Sequence, residues 1–177
     1  MGKLVGSLPH AQAVTTVAVS PDGLVVASGS KDGTARLWTL ATGQPRSPPL
    51  ANLDIVRQVR FSPDGARLVT ACDSPGRAGG AAQVWDTRTG GKAGVPMRYD
   101  DDVVSAEFSA DGGAVVTASA DRSARVWDAS TGRPLTPPLW HHGSVAHAGG
   151  GELAHPAGHV DRQQHRRQLD SRGFVQL

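Results

Sequence analysis

The stretch Val104–Leu139 reads VSAEFSADGGAVVTASADRSARVWDASTGRPLTPPL, and two earlier stretches, Val14–Leu50 and Val56–Met97, repeat its landmarks. Each stretch contains a Ser-X-Asp-Gly motif, followed by an apolar run and then a tryptophan. A Thr-Gly pair begins four residues after the tryptophan. The second stretch is longer because it carries a five-residue insertion within residues 73–81. Self-similarity at a fixed spacing indicates a repeat architecture.

Each unit predicts four short β-strands. Val17 and Val19 alternate with more polar neighbours, which is the period of a strand. The Ser-Pro-Asp-Gly motif favours a turn, because proline presets φ and glycine permits a positive φ. Lys31–Gly33 predicts a second hairpin before the strand Thr34–Trp38. The proline-rich segment Gln44–Leu50 can form only a poor strand, so we expect it at the outer edge of its sheet.

The order of these motifs resembles the WD-repeat family of β-propellers. Val-Trp-Asp ends the third strand at Val84–Asp86 and Val126–Asp128, and Leu37–Thr39 takes the same place in unit one. The resemblance covers Val14 to about Val145, and the Pro-Pro-Leu ends and arginine-rich composition look most like bacterial members. It implies an all-β fold, an incomplete β-propeller of three four-stranded blades with a largely disordered C-terminal tail.

The repeat register also predicts how the chain is organised. The expected parts are a remnant of a preceding blade at 1–13, repeats at 14–50, 56–97 and 104–139, the start of a fourth repeat at 140–148, and a His/Gly-rich non-repeat tail at 149–177. Closed propellers have about 4–8 blades, so three blades do not close a ring. We therefore expect a fragment of a larger propeller protein, a truncated or frame-shifted product without independent function, or self-association that closes the propeller.

The resemblance further implies a buried network of a histidine, a hairpin aspartate and the tryptophan, with a structural role. In unit one these are His10, Asp32 and Trp38. The other units match only in part. Unit three offers Asp121 and Trp127, with Asp100 at the histidine position, and unit two offers Trp85, with Asn52 at that position and Asp73 as a substitute for the aspartate.

The loops supply the candidate partner contacts, because loops carry recognition on a rigid scaffold. We predict contacts through Arg57, Asp101 and Arg77, the last of which lies among glycines in the insertion and can donate paired hydrogen bonds. The alternative for the insertion is tolerated loop drift, since lengthening a loop costs little. The triplet Asp100–Asp102 is either a solvated loop or part of a docking rim.

Composition narrows the function classes. Lone Cys72 rules out an internal disulfide and fits a reducing compartment, so we expect a cytoplasmic protein. The net charge of +2 is spread along the chain, which argues against a nucleic-acid surface. No apolar run reaches the ~18 residues of a membrane helix. Neither a G-x-S-x-G nor a phosphate-loop motif occurs, so we expect no enzyme activity and no cofactor.

The segment Leu139–His159 contains five histidines and raises the question of a metal site. His155 and His159 are four residues apart across Pro156 and Gly158, so a helix cannot present them together. We expect no specific metal site, and metal binding by the His-rich tail remains an alternative function. The function that the sequence predicts is a non-catalytic WD-repeat scaffold for protein–protein interaction.

Overall fold

The structure, a computed structural model, describes residues 7–52, 54–73 and 79–141. Within these residues the chain forms strands and turns and no helix. The first sheet contains β1 (Val14–Val19), β2 (Val25–Ser30), β3 (Thr34–Thr39) and β4 (Leu50–Ala51). The second contains β5 (Val56–Phe61), β6 (Arg67–Cys72), β7 (Ala81–Asp86) and β8 (Lys92–Arg98). The third contains β9 (Val103–Phe108), β10 (Ala114–Ser119), β11 (Ser123–Asp128) and β12 (Leu139–Trp140).

The strands of each sheet follow one another in chain order, antiparallel throughout, so each sheet is one blade. This confirms the all-β fold of three four-stranded blades, and the ring that they begin is not closed. The expected tail at 149–177, nearly all of the fourth-repeat start at 140–148, residues 1–6 and Arg77 lie outside the described residues. In the described part of the chain there is also no helix that is long and apolar enough to cross a membrane.

The Ser-X-Asp-Gly motif builds the first turn of each blade through side-chain hydrogen bonds. The hydroxyl of Ser20 donates to Asp22 Oδ1 at 2.5 Å, and Asp22 Oδ1 also accepts from the amide of Leu24 at 2.9 Å. Gly23 adopts a φ of 72°, which costs a glycine little. The same contacts recur around Ser62 and Ser109, so a local motif sets all three turns.

The outer strands differ between blades because of their prolines. β4 and β12 have only two residues each, and a single bridge joins Trp38 to Pro45 and Trp127 to Pro134 before them. β8 contains one proline, Pro96, and runs for seven residues. Proline has no N–H to donate to a sheet hydrogen bond, so the proline-containing outer segments form weak edge strands.

Apolar side chains fill the two spaces between neighbouring blades. Strand β5 packs against β1, β2 and β3, and β9 packs against β5, β6 and β7. The first interface is built around Leu37, Val59 and Leu68, all of which are fully buried. The second is built around Val84 and Val115. The inner strand of each later blade therefore covers one face of the blade before it.

Polar contacts fix the second and third blades in register. Arg67 Nη2 donates to the carbonyl of Gly112 at 2.8 Å, and its guanidinium lies 5.7 Å from the ring centre of Phe108. The amide of Val95 donates to the carbonyl of Thr131 at 2.9 Å. These bonds join blades 2 and 3 at two separate places.

Candidate functional site: the loop rim and the tryptophan networks

The connections into the inner strands meet the hairpins between the second and third strands at one end of the blades. Backbone hydrogen bonds of 2.9 to 3.0 Å join the two kinds of loop in each blade: Lys31 N to Ala13 O, Asp73 N to Ile55 O, and Ala120 N to Asp102 O. We call this end the loop rim, meaning the described residues of 7–13, 31–33, 52–55, 73–80, 99–102 and 120–122, together with Arg57.

In blade 1 the structure brings His10, Asp32 and Trp38 together around Ser28. Trp38 Nε1 donates to Ser28 Oγ at 2.8 Å, and Ser28 Oγ lies 2.7 Å from His10 Nε2. His10 Nδ1 lies 3.1 Å from Asp32 Oδ2. A carboxylate only accepts, so in the neutral imidazole the tautomer that fits has the proton on Nδ1, with Nε2 accepting from the serine hydroxyl. One hydrogen-bonded chain thus joins the indole to the rim.

Asp32 is the charged end of this chain. Burial alone would raise the pKa of its carboxyl group. Hydrogen bonds from the Thr34 hydroxyl, the Ala11 amide, the Thr34 amide and His10 outweigh burial and hold the pKa well below its ordinary value. The Thr34 hydroxyl lies at 2.7 Å and the Ala11 amide at 2.9 Å. Asp32 therefore stays ionised and ties the segment before β1 to the hairpin.

In blade 2 an asparagine takes the place of the histidine. Trp85 Nε1 donates to Thr70 Oγ1 at 3.0 Å, and Thr70 donates to Asn52 Oδ1 at 2.6 Å. The thiol of Cys72 lies 3.4 Å from the same amide oxygen. Asp73 pairs with Arg57 on the rim, so the substitution of Asp73 for the network aspartate, considered from the sequence, is not what the structure shows.

In blade 3 a tyrosine completes the network. The hydroxyl of Tyr99 is hydrogen-bonded to Thr117 Oγ1, which also accepts from Trp127 Nε1 at 2.7 Å. The Tyr99 ring meets the Trp127 ring edge-on, with centres 5.8 Å apart. Asp100, which the repeat spacing places at the histidine position, is exposed. The phenol reaches the threonine from one residue earlier because it is longer than an aspartate side chain.

Asp121 has a more local role than the network aspartate of blade 1. Its Oδ1 accepts from the amide of Ser123 at 2.8 Å and from the Ser123 hydroxyl at 2.7 Å. Asp32 Oδ1 caps its own hairpin through Thr34 in the same way. The hairpin cap is thus common to blades 1 and 3, whereas the contact between aspartate and histidine is made in blade 1.

The hydroxyl at the centre of each network was not predicted from the sequence. Ser28, Thr70 and Thr117 occupy equivalent register positions in the second strands, each buried beneath its tryptophan. Their sequence signal is a small hydroxyl residue inside an otherwise apolar strand. Buried polar groups require partners, so this hydroxyl allows the indole N–H to be buried.

On the rim, Arg57 and Asp73 form an ion pair between an exposed and a buried group. The Arg57 side chain is 58% exposed, and the Asp73 side chain is 3% exposed. Arg57 Nε donates to Asp73 Oδ2, while Oδ1 is buried and accepts no hydrogen bond from any described residue. Burial raises the pKa of Asp73 despite the Arg57 guanidinium, and the charges of Asp102 and Asp54 raise it further.

Asp101 is a second exposed charged residue on the rim. Its side chain points to solvent, and its Oδ1 accepts from the amide of Asp102 at 2.8 Å. Its carbonyl accepts from Gly80 at 2.9 Å, which anchors the end of the insertion. Arg77, the third predicted contact, lies outside the described residues. Arg57 and Asp101 therefore both project from strands or loops that the blades hold in place.

Carboxylates outnumber cations in the described part of the rim. The acidic residues are Asp32, Asp54, Asp73, Asp100, Asp101, Asp102 and Asp121, and the basic residues are Lys31, Arg57 and Arg122. No group of three His, Cys, Asp or Glu side chains in the described ranges could hold a metal ion. His142, His147, His155, His159 and His165 lie outside those ranges. The rim offers charge and hydrogen-bonding groups for recognition.

Comparison with known proteins identifies the repeats. The sequence model of the family described as "WD domain, G-beta repeat" matches residues 2–39, 50–86 and 97–128, which together are more than half of the chain. The chain belongs to the WD-repeat family. A solved structure, that of the computationally designed Ika4 protein, superposes with a TM-score of 0.68 and 28% identity over 83% of this chain and 86% of that chain.

Curated WD-repeat relatives match over shorter segments. Eukaryotic translation initiation factor 3 subunit I of Aspergillus oryzae is 40% identical over 67 residues, which are 36% of this chain and 19% of that protein. Small ribosomal subunit protein RACK1 of Medicago sativa is 46% identical over 65 residues, 37% of this chain and 20% of that protein. The matched segments span about a fifth of these relatives. Both organisms are eukaryotes, so the comparisons do not support the expected bacterial type.

Proposed function

We propose that this WD-repeat chain is a non-catalytic scaffold that binds a protein partner through the loop rim. The observation that carries the proposal is the placement of Arg57 and Asp101 at the rim, where both are exposed on backbone that the blades hold in place by hydrogen bonds. Recognition by preorganised side chains needs no ordering of the loop at the moment of binding.

The charge of the rim favours a partner segment that carries lysine or arginine. Asp100 and Asp101 are exposed, and Oδ1 of Asp73 accepts no hydrogen bond from any described residue. A cationic donor that displaced or joined Arg57 would satisfy this oxygen. Charged hydrogen bonds of that kind are stronger than neutral ones and give geometric specificity.

The names of the relatives agree with assembly rather than catalysis. One is a subunit of a translation initiation factor, and another is a small ribosomal subunit protein. We propose that this chain likewise joins a multi-protein assembly, with a partner of its own. Its single buried thiol suits the cytoplasm, the compartment that we propose for it.

The test is capture of partners by the immobilised 177-residue chain, followed by calorimetric titration of each purified partner. We expect Asp101→Lys to weaken binding at least ~10-fold, because it replaces an attractive rim charge with a repulsive one. Arg88→Glu, an exposed charge reversal in the turn at the opposite end of blade 2, serves as the control and leaves binding unchanged. Equal affinity of the wild type and Asp101→Lys would refute the rim as the binding face.

A further inference from the structure

A groove lies beside the Ser-X-Asp-Gly turns, at the end of the blades opposite the loop rim. Four rings line it, those of Pro21, Phe61, Pro63 and Phe108, and we call it the ring groove. The two prolines are exposed, Phe61 is half-buried, and Phe108 is buried with the Arg67 guanidinium 5.7 Å from its ring centre. The groove has a volume of about 220 Å³.

Arg60, which also lines the ring groove, keeps hydrogen-bonding capacity. Its side chain is 44% exposed, and its Nη1 donates to the Val59 carbonyl at 3.2 Å. Its Nε lies 3.7 Å from Glu107 Oε1, which is beyond the roughly 2.7–3.2 Å of an N–H hydrogen bond. Its Nη2 makes no hydrogen bond to any described residue. The planar guanidinium can therefore still donate a pair of hydrogen bonds to a carboxylate.

The backbone of the ring groove has little to offer to an amide group. Its two prolines have no N–H. The Ser62 amide donates to the Arg67 carbonyl and the Ser62 carbonyl accepts from Gly65, each at 2.9 Å, so both groups are used inside the turn. The Ser62 hydroxyl donates to Asp64 at 2.6 Å. Because a buried N–H without a partner costs free energy, and proline has none, the groove favours a proline ring.

We propose that the ring groove binds a proline-rich segment of a protein partner in which an acidic residue follows the prolines. A proline ring packs among the four rings, and the carboxylate pairs with the Arg60 guanidinium. Proline-rich segments bind aromatic-lined grooves because their extended conformation is set before binding. The volume of about 220 Å³ is below the roughly 300–1,000 Å³ of pockets for small molecules, which favours one or two side chains of a peptide.

This surface is separate from the loop rim, and the inference does not rest on the proposed function. Within each antiparallel blade, the first turn and the following hairpin lie at opposite ends of the second strand. The loop rim is rich in carboxylates and favours a basic segment, whereas the ring groove favours an acidic one. The two ends of the blades therefore select segments of opposite charge.

Titration of synthetic peptides into the nitrogen-15-labelled 177-residue chain tests the proposal. The probe is the blocked peptide Ala-Pro-Pro-Glu-Ala, and two further peptides replace its glutamate by glutamine or its prolines by alanine. We expect the probe to shift the amide signals of Arg60, Ser62 and Phe108 and to leave that of Asp101 unchanged. Each replacement should weaken binding at least ~10-fold, because it removes a charged hydrogen bond or a buried ring.

Arg60→Gln should also weaken binding of the probe at least ~10-fold. Arg88→Gln is the matched control, because Arg88 is an exposed arginine in a turn at the same end of blade 2 and does not line the groove. We expect it to bind the probe like the wild type. Circular dichroism checks the fold of both variants, and the peptide series tests the proposal on the wild-type chain even if Arg60→Gln does not fold.

Three results would overturn the proposal. The first is no binding of the probe at millimolar concentration, and the second is equal affinity for the glutamate and glutamine peptides. The third is a set of shifted signals on the loop rim in place of Arg60, Ser62 and Phe108. None of these results would remove the scaffold function, whose test is the effect of Asp101→Lys on partners captured by the rim.

Discussion

The indole Nε1 of Trp38 donates a 2.8 Å hydrogen bond to the Oγ of Ser28 in the interior of blade 1. Trp85 and Trp127 make the same bond to Thr70 and Thr117. The groups beyond the hydroxyl differ between blades, yet this bond is constant. The tryptophan–hydroxyl pair is therefore the common structural unit of the three repeats, and the rim residue above it varies.

Removal of the central hydroxyl should destabilise blade 1. Ser28→Ala leaves the Trp38 indole and His10 Nε2 buried without their partner, and an unsatisfied buried group costs about 1–3 kcal/mol. We expect the free energy of unfolding in urea to fall by about 2 kcal/mol on that basis. Ser7→Ala, at an exposed position, is the control and should change it by less than about 0.5 kcal/mol. A Ser28→Ala chain as stable as the control would contradict the network.

The assignment of Tyr99 in place of Asp100 can be tested with one variant of each. Tyr99→Phe removes the hydroxyl that Thr117 binds and should cost about 0.5–1.5 kcal/mol, the usual net contribution of a hydrogen bond. Asp100→Asn changes an exposed side chain and should stay within about 0.5 kcal/mol of the wild type. Chemical denaturation gives both values. If Asp100→Asn were the more destabilising variant, the histidine position would belong to Asp100 after all.

The end of the insertion depends on a glycine that is close to a neighbouring loop. A Cβ at Gly79 would lie 1.7 Å from the carbonyl oxygen of Tyr99, and the φ of Gly79 is 83°. Gly23 has a similar φ of 72° with open space around it. Gly23→Ala should therefore cost only the backbone strain of about 1–2 kcal/mol, and Gly79→Ala should cost more. Thermal unfolding measures the loss of stability in each variant. Equal losses would show that the Tyr99 carbonyl does not lie against Gly79.

The ionised state of Asp32 predicts an acid dependence of stability. Because its pKa is lowered on folding, its contribution is fully present above the unfolded value of about 3.9 and is lost as pH falls through the folded value. Asp32→Asn should lower the unfolding free energy at pH 7, and the difference from wild type should shrink steadily below pH ~4. Urea titrations from pH 7 to pH 2 measure it. A difference that does not depend on pH would show that Asp32 does not act through its charge.

The sequence predicted the blades well because local motifs build them. The Ser-X-Asp-Gly turns form from contacts within five residues, and the tryptophans sit at fixed distances from them. The network partners were harder to predict, since they come from the preceding loop and depend on side-chain length. Tyr99 hydrogen-bonds to Thr117 from a position one residue before the one that the repeat spacing predicts. The pairing of Arg57 with Asp73 depends on the path of a loop that repeat spacing does not set.

The most direct test of the three-blade account is exchange of the indole protons, observed by nitrogen-15 correlation spectroscopy after transfer into heavy water. The chain has four tryptophans, and Trp38, Trp85 and Trp127 are 2 to 5% exposed, whereas Trp140 is 66% exposed. We predict three indole signals that persist and one, assigned through Trp140→Phe, that disappears at once. Loss of two or more indole signals within the dead time would contradict the structure of the repeats.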